Sequence, residues 1–150
     1  MKKNAVFLIL ILSLILTSCS RNRVSACGVI DDFCREYPIS SQVYSSLSDD
    51  GDAGYIDSEM LGALYGIEEH PVREYALVLY GKVDTVREIG VFIVENGEDE
   101  IVLSELLSSR VKFLSSFVDG EGFIRRYRGV VVYGFVDDSK RAEKIFDSLL

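Results

Sequence analysis

The chain reads as an α+β domain: an antiparallel sheet of about four strands with helices packed on one face, preceded by a signal peptide and a tether. Three observations carry this reading. Strand-like runs at 74–80 with 88–95, and at 123–127 with 130–136, are joined by short links that suit hairpins rather than crossovers. Amphipathic stretches follow each pair, with apolar residues at helical spacing. The first 19 residues have the layout of an export signal rather than of folded structure.

That signal begins with Met1-Lys2-Lys3, continues through a greasy run from Ala5 to Leu16 broken only by Ser13, and ends in Leu16-Thr17-Ser18-Cys19. The run is short of the roughly 20 residues that a membrane span needs. A cysteine directly after small residues marks a lipoprotein signal, because its thiol can take a diacylglycerol chain before cleavage. Cys27, in Val24-Ser25-Ala26-Cys27, offers a second such string, but Arg21 and Arg23 separate it from the greasy run, and charge is costly in a bilayer. Cys19 is therefore the expected lipidation site, and ordinary secretion with an incidental cysteine is the competing reading. The expected division is 1–18 signal peptide, 19–44 lipidated start and tether, and 45–150 folded domain.

Two acyl chains on one cysteine would anchor stably, holding the chain to the cell membrane on its extracytoplasmic face. Loss of Lys2 and Lys3 with the signal takes the net charge from −8 to −10. Such acidity disfavours nucleic acid as a partner and repels anionic lipid headgroups, and Arg21 and Arg23 would soften that repulsion locally.

Residues 20 to about 40 mix polar residues with one proline and read as tether, with a helical turn near Val29–Cys34. If that segment is helical, Cys27 and Cys34 lie two turns apart, about 10 Å, beyond the reach of a disulfide. Otherwise a bridge remains open to them outside the reducing cytosol. Gln42–Leu47 reads as a short helix. The acidic, glycine-bearing stretch 49–54 is a loop, and Asp57 or Ser58 caps a helix to about Tyr65 that Gly66 ends. Residues 74–80 form a strand. The next strand, 88–95, carries Ile89, Val91, Phe92, Ile93 and Val94, apolar on both faces, and so belongs in the middle of the sheet.

Asn96-Gly97 breaks that strand, and a long helix follows from Asp99 to Val118. Leu103, Leu106, Leu107, Val111, Leu114 and Val118 are its buried stripe, with acids at its start and Arg110 and Lys112 toward its end. A hairpin turning at Arg128-Gly129 comes next. Asp138 or Ser139 then caps a last helix whose packing face is Ala142, Ile145, Phe146 and Leu149.

Several strings in this order resemble a family of small bacterial lipoproteins, the DUF4358 family. They are Leu64-Tyr65-Gly66-Ile67 leading to Val72-Arg73-Glu74-Tyr75, then Glu88-Ile89-Gly90-Val91-Phe92, Arg110 in the long helix, Gly129 opening the last strand, and Val136-Asp137-Asp138 before the last helix. The likeness spans about residues 45–150. It departs from the family where Val130 and Val131, rather than an aromatic, follow Gly129, and where Arg125, Arg126 and Arg128 replace a lysine-rich approach. It implies an extracytoplasmic lipoprotein and no particular activity.

The residues carry little that points to catalysis. The single histidine, His70, precedes Pro71 in a loop, where a surface role is the ordinary one. Placing Asp49 at position one of a calcium loop puts Gly54 at six, but Gly51, Ala53 and Met60 then stand where carboxylates are required, so the EF-hand reading fails; 49–54 reads as a solvated acidic loop, with a weak, irregular calcium contact as the lesser alternative. No His/Cys spacing suits zinc. No catalytic residue, metal or cofactor is expected. Glu88, opening an apolar strand, is a candidate for a structural ion pair with Arg110, since a buried charge needs a partner. Arg125, Arg126 and Arg128 form the one basic cluster of the domain. They read either as a charged edge strand that discourages aggregation or as a site for an anionic partner.

The expected function is a lipid-anchored, non-catalytic module that binds a protein or an anionic envelope component through its sheet or the arginine edge. A small extracytoplasmic hydrolase or ligand receptor with an acidic site, using Glu88, Glu74 and Asp84, is the alternative.

Overall fold

The structure is a computed structural model that describes residues 24–39, 41–48, 52, 54–67, 72–82 and 85–150. Cys19 and the signal, Asp49, Asp50, His70 and Asp84 lie outside the described residues. The elements, in chain order, are α1 (Ala26–Glu36), β1 (Val43–Ser45), α2 (Ser58–Tyr65), β2 (Val72–Tyr80), β3 (Arg87–Val94), α3 (Gly97–Ser115), β4 (Glu121–Tyr127), β5 (Val130–Val136) and α4 (Ser139–Leu149). The strands make one sheet in the order β1-β2-β3-β5-β4, with every neighbouring pair antiparallel. Among the described residues no helix is long and apolar enough to cross a membrane.

The α+β class and the antiparallel sheet are as expected, but helices cover both faces of the sheet rather than one. Ile89, Val91 and Ile93 of β3 meet Ile30 and Phe33 of α1 and Ile145 and Phe146 of α4. Phe92 and Val94, alternating with them, meet Leu61 and Tyr65 of α2 and Leu103 and Leu107 of α3. A strand's side chains alternate between faces, so a strand apolar at every position needs cover on both sides. Every residue of β3 and of β5 is buried.

The segment expected to be tether supplies much of that second cover. Residues 26–36 form α1, capped by the Ser25 hydroxyl on the Gly28 N–H, and Ala26, Ile30 and Phe33 have no exposed surface. The Phe33 ring stacks on Phe146 of α4 with centroids 4.3 Å apart. The stripe at positions 26, 29, 30 and 33 has the i, i+3, i+4, i+7 spacing of an amphipathic helix, a signal present in the sequence beneath the linker-like polarity of the other face. Cys27 and Cys34 are free, half-buried thiols on α1. Burial, then the charge of Asp31, raises the Cys34 thiol above its ordinary value.

Gln42–Leu47 is likewise not a helix. Val43, Tyr44 and Ser45 extend and pair with Val78, Leu77 and Ala76, giving the sheet a fifth strand at its edge. That ladder is a long-range opportunity which local propensity cannot register.

Turn and cap chemistry follows the sequence closely. The Asp57 carboxylate accepts from the Met60 N–H at 2.7 Å, and Gly66 ends α2 in the left-handed conformation at φ 71°. Asn96 caps α3 by accepting from Glu98 and Asp99, and Asp138 caps α4 by accepting from Arg141.

Replacing Phe33 with alanine separates a core helix from a tether. The expected loss is about 3–5 kcal/mol of unfolding free energy in urea denaturation, as for a buried phenylalanine. A tether residue would change it by no more than about 0.5 kcal/mol.

Candidate functional site

A cluster of buried ionisable and hydroxyl groups is built around Glu88, which is 2% exposed. Strand alternation turns it, with Gly90 and Phe92, to the α2/α3 face. It opens β3 opposite Leu79 of β2 and Phe135 of β5. α3 crosses this face and brings Arg110 over it. Arg110 Nε donates to Glu88 Oε2 at 3.1 Å, and Nη2 donates to Oε1, so the guanidinium forks onto both oxygens. Tyr65, the last residue of α2, donates its hydroxyl to Oε2 at 3.4 Å, and the Tyr133 hydroxyl, from β5, donates to the same oxygen.

The rings around this carboxylate are ordered by contact. Tyr65 meets Tyr133 and Phe92 edge-on, at 5.8 and 6.0 Å between centroids. The Arg110 guanidinium lies 5.5 Å over the Tyr65 ring and 5.6 Å over Phe113. Gly90 makes the room: a Cβ there would stand 2.8 Å from the Leu77 and Phe92 side chains and 3.2 Å from the Tyr133 ring.

Burial, and next the charge of Glu88, push the Tyr65 hydroxyl far above its ordinary value. Burial, the Tyr65 hydroxyl and Glu88, in that order, do the same to Tyr133. Burial alone would lower the Arg110 guanidinium, but the hydrogen bond and charge of Glu88 outweigh it and hold it above the usual arginine value. Both tyrosines therefore stay protonated donors. The carboxylate takes four donors from the protein, three of them on Oε2, and so ties α2, α3 and the sheet together.

Beyond the guanidinium, Leu64, Tyr65, Leu106, Ser109, Arg110 and Phe113 line an open groove of about 360 Å³ between α2 and α3.

Glu74 does not join Glu88. Glu74 lies near the opposite end of the sheet, where its Oε1 accepts from the Ser25 hydroxyl at 2.8 Å and from the Ala26 N–H at 2.6 Å, pinning the start of α1. Among the described residues no group of three or more His, Cys, Asp or Glu side chains is placed to hold a metal ion.

The three arginines of the hairpin do not converge. Arg125 pairs with Glu143 of α4. Arg126 alternates to the opposite face of β4, the face that Ile124 presents to the α2/α3 core, and Arg128 sits in the turn. Both are exposed, and among the described residues neither makes an ion pair.

A second buried arginine was not legible in the sequence. Arg87, beside Glu88, donates from Nε to Asp137 Oδ1 at 2.8 Å and from Nη1 to the Val86 carbonyl at 3.1 Å, and lies 5.7 Å over the Phe135 ring. Nor does any local string tie Tyr65 or Tyr133 to Glu88. The one available signal was that two opposite charges in sequence open the most apolar strand, which obliges each to find a partner.

No family model, no curated protein and no solved structure matches this chain.

Two measurements check the cluster. Arg110→Met strands Glu88 and is expected to cost about 3–5 kcal/mol in denaturant unfolding, whereas the Glu88→Leu/Arg110→Met pair is expected to cost less than that single change. Above about pH 10 the unfolded chain loses tyrosine protons that Tyr65 and Tyr133 keep when folded. Stability is therefore full below that pH and falls as pH rises, by about 1.4 kcal/mol per pH unit for each such proton. Tyr133→Phe should remove one proton's worth of that slope; an unchanged slope would remove Tyr133 from the group.

Proposed function

We propose that the chain is a lipid-anchored extracytoplasmic domain that acts by binding a protein or envelope component rather than by catalysis. The observation that carries the anchor is the string Leu16-Thr17-Ser18-Cys19 directly after a cationic start and a short greasy run. The likeness of residues 45–150 to the DUF4358 lipoproteins supports the same location, and membership of that family is part of this proposal.

Two features support binding over chemistry. The best-buried carboxylate, Glu88, spends its oxygens on Arg110, Tyr65 and Tyr133. On the surface, Phe113 and Phe117 stand exposed with ring centroids 5.0 Å apart, beside the α2/α3 groove. Exposed aromatic side chains next to a groove are typical anchors for a partner. Arg126 and Arg128, free of ion pairs among the described residues, remain available to an anionic partner.

Cys19→Ala is expected to move the protein from the membrane fraction to the soluble fraction. Mass spectrometry of the native chain should find it starting at Cys19 and carrying acyl mass. An intact Met1 start, or retention on membranes after the substitution, defeats the reading.

A further inference from the structure

The position of α1 gives the anchor a direction. Ser25, its cap, is bound to Glu74 at one end of the sheet. Only five residues separate Ser25 from Cys19, and the six steps between them span at most about 20 Å fully extended. β2 alone, with nine residues, is about 30 Å long. An acyl chain on Cys19 therefore cannot stand the domain inverted, with the opposite end of the sheet on the bilayer and the Ser25 end away from it. The expected 26-residue tether would have allowed that stance; α1 removes it, and the charges at the two ends decide between standing and lying.

The end so held is defined by independent contacts. β2 starts there, opposite the end of β3, and the turn between β4 and β5 lies beside them, since the Val94 N–H donates to the Gly129 carbonyl at 3.1 Å. α3 begins there, with Glu100 accepting from the Gly129 N–H at 2.6 Å. α4 finishes there, as its contacts climb β4 from Ser139 on Glu121, through Glu143 on Arg125, to Asp147 on Tyr127. Exposed residues at this end include Arg73, Arg126 and Arg128, together with Val24 and Leu150. Glu95, Glu98 and Asp147 share it, so Arg126 and Arg128 of the hairpin with Arg73 of β2, rather than the whole end, supply the cationic contact. The far end carries the last turn of α3 and Phe117, which is 74% exposed.

Resting on the reading of Cys19 as the anchored residue, we propose that the domain stands on the lipid surface on its Ser25–Arg128 end, with Arg73, Arg126 and Arg128 toward lipid phosphates and Phe113 and Phe117 held outward. Salt at physiological strength screens the headgroup charge over about 8 Å. Only charges at the near end therefore feel the headgroups, and most of the acidic surface is kept away from them.

The chain has no tryptophan, so single tryptophans report position. The acylated protein, carrying Leu150→Trp, Ile101→Trp or Phe117→Trp, is reconstituted in phosphatidylcholine–phosphatidylglycerol vesicles whose headgroups bear a nitroxide quencher. All three sites are exposed on the surface. Loss of emission is expected at Leu150→Trp and Ile101→Trp, with emission retained at Phe117→Trp. Adding Arg126→Glu and Arg128→Glu should weaken the quenching at Leu150→Trp while the protein still floats with the vesicles. Equal quenching at all three sites, or the strongest at Phe117→Trp, overturns the orientation alone. A protein that does not float with the vesicles overturns the acyl anchor and this inference with it.

Discussion

A carboxylate buried at the start of the central strand has to be neutralised, and the rest of the architecture is arranged so that it is. Glu88 is too deeply placed for water to solvate it, and an isolated charge there would cost several kcal/mol. Its donors come from three separate elements: Arg110 from α3, Tyr65 from α2 and Tyr133 from β5. None of these can move without leaving a charge or a hydroxyl unpaired. The cluster therefore sets the rotation of α3, the end point of α2 and the register of β5 against β3. It contributes uniqueness more than net stability, because a well-packed apolar substitute of the same shape could be equally stable.

Gly90 is the complement of that constraint. A side chain there would collide with Leu77, Phe92 and Tyr133. Its absence lets the aromatic rings close over the carboxylate and exclude water from it. The left-handed Gly66 acts in the same direction, stopping α2 directly after Tyr65 so that this tyrosine is the one presented to Glu88. Both glycines thus serve the placement of one anion.

The opposite face is held by packing instead of charge. α1 and α4 lie on Ile89, Val91 and Ile93, and the contact between them is the Phe33–Phe146 stack, with Arg141 over the Tyr37 ring at 5.0 Å. Covering both faces leaves β3 and β5 inaccessible and puts the exposed surface on helices and strand ends. Among the described residues α1 is the first element, and its Ser25 cap is held by Glu74 at the end of the sheet where β2 starts.

Local chemistry determined the strands, the caps and most helix boundaries. Asp57, Gly66, Asn96, Gly129 and Asp138 act within a few residues of themselves, and Phe123–Tyr127 with Val130–Val136 could pair only as a hairpin. The pairing of Glu88 with Arg110 was legible because a buried charge constrains its neighbours wherever it lies. Tertiary structure alone decided that residues 26–36 are core and not tether, that 43–45 extend to join β2, and that Tyr65, Tyr133 and Asp137 complete the buried charges. Each of these depends on a surface contributed by residues far along the chain. An edge strand has no stable place until that surface exists, and the helical spacing of positions 26, 29, 30 and 33 marks an amphipathic helix without marking the surface on which it packs.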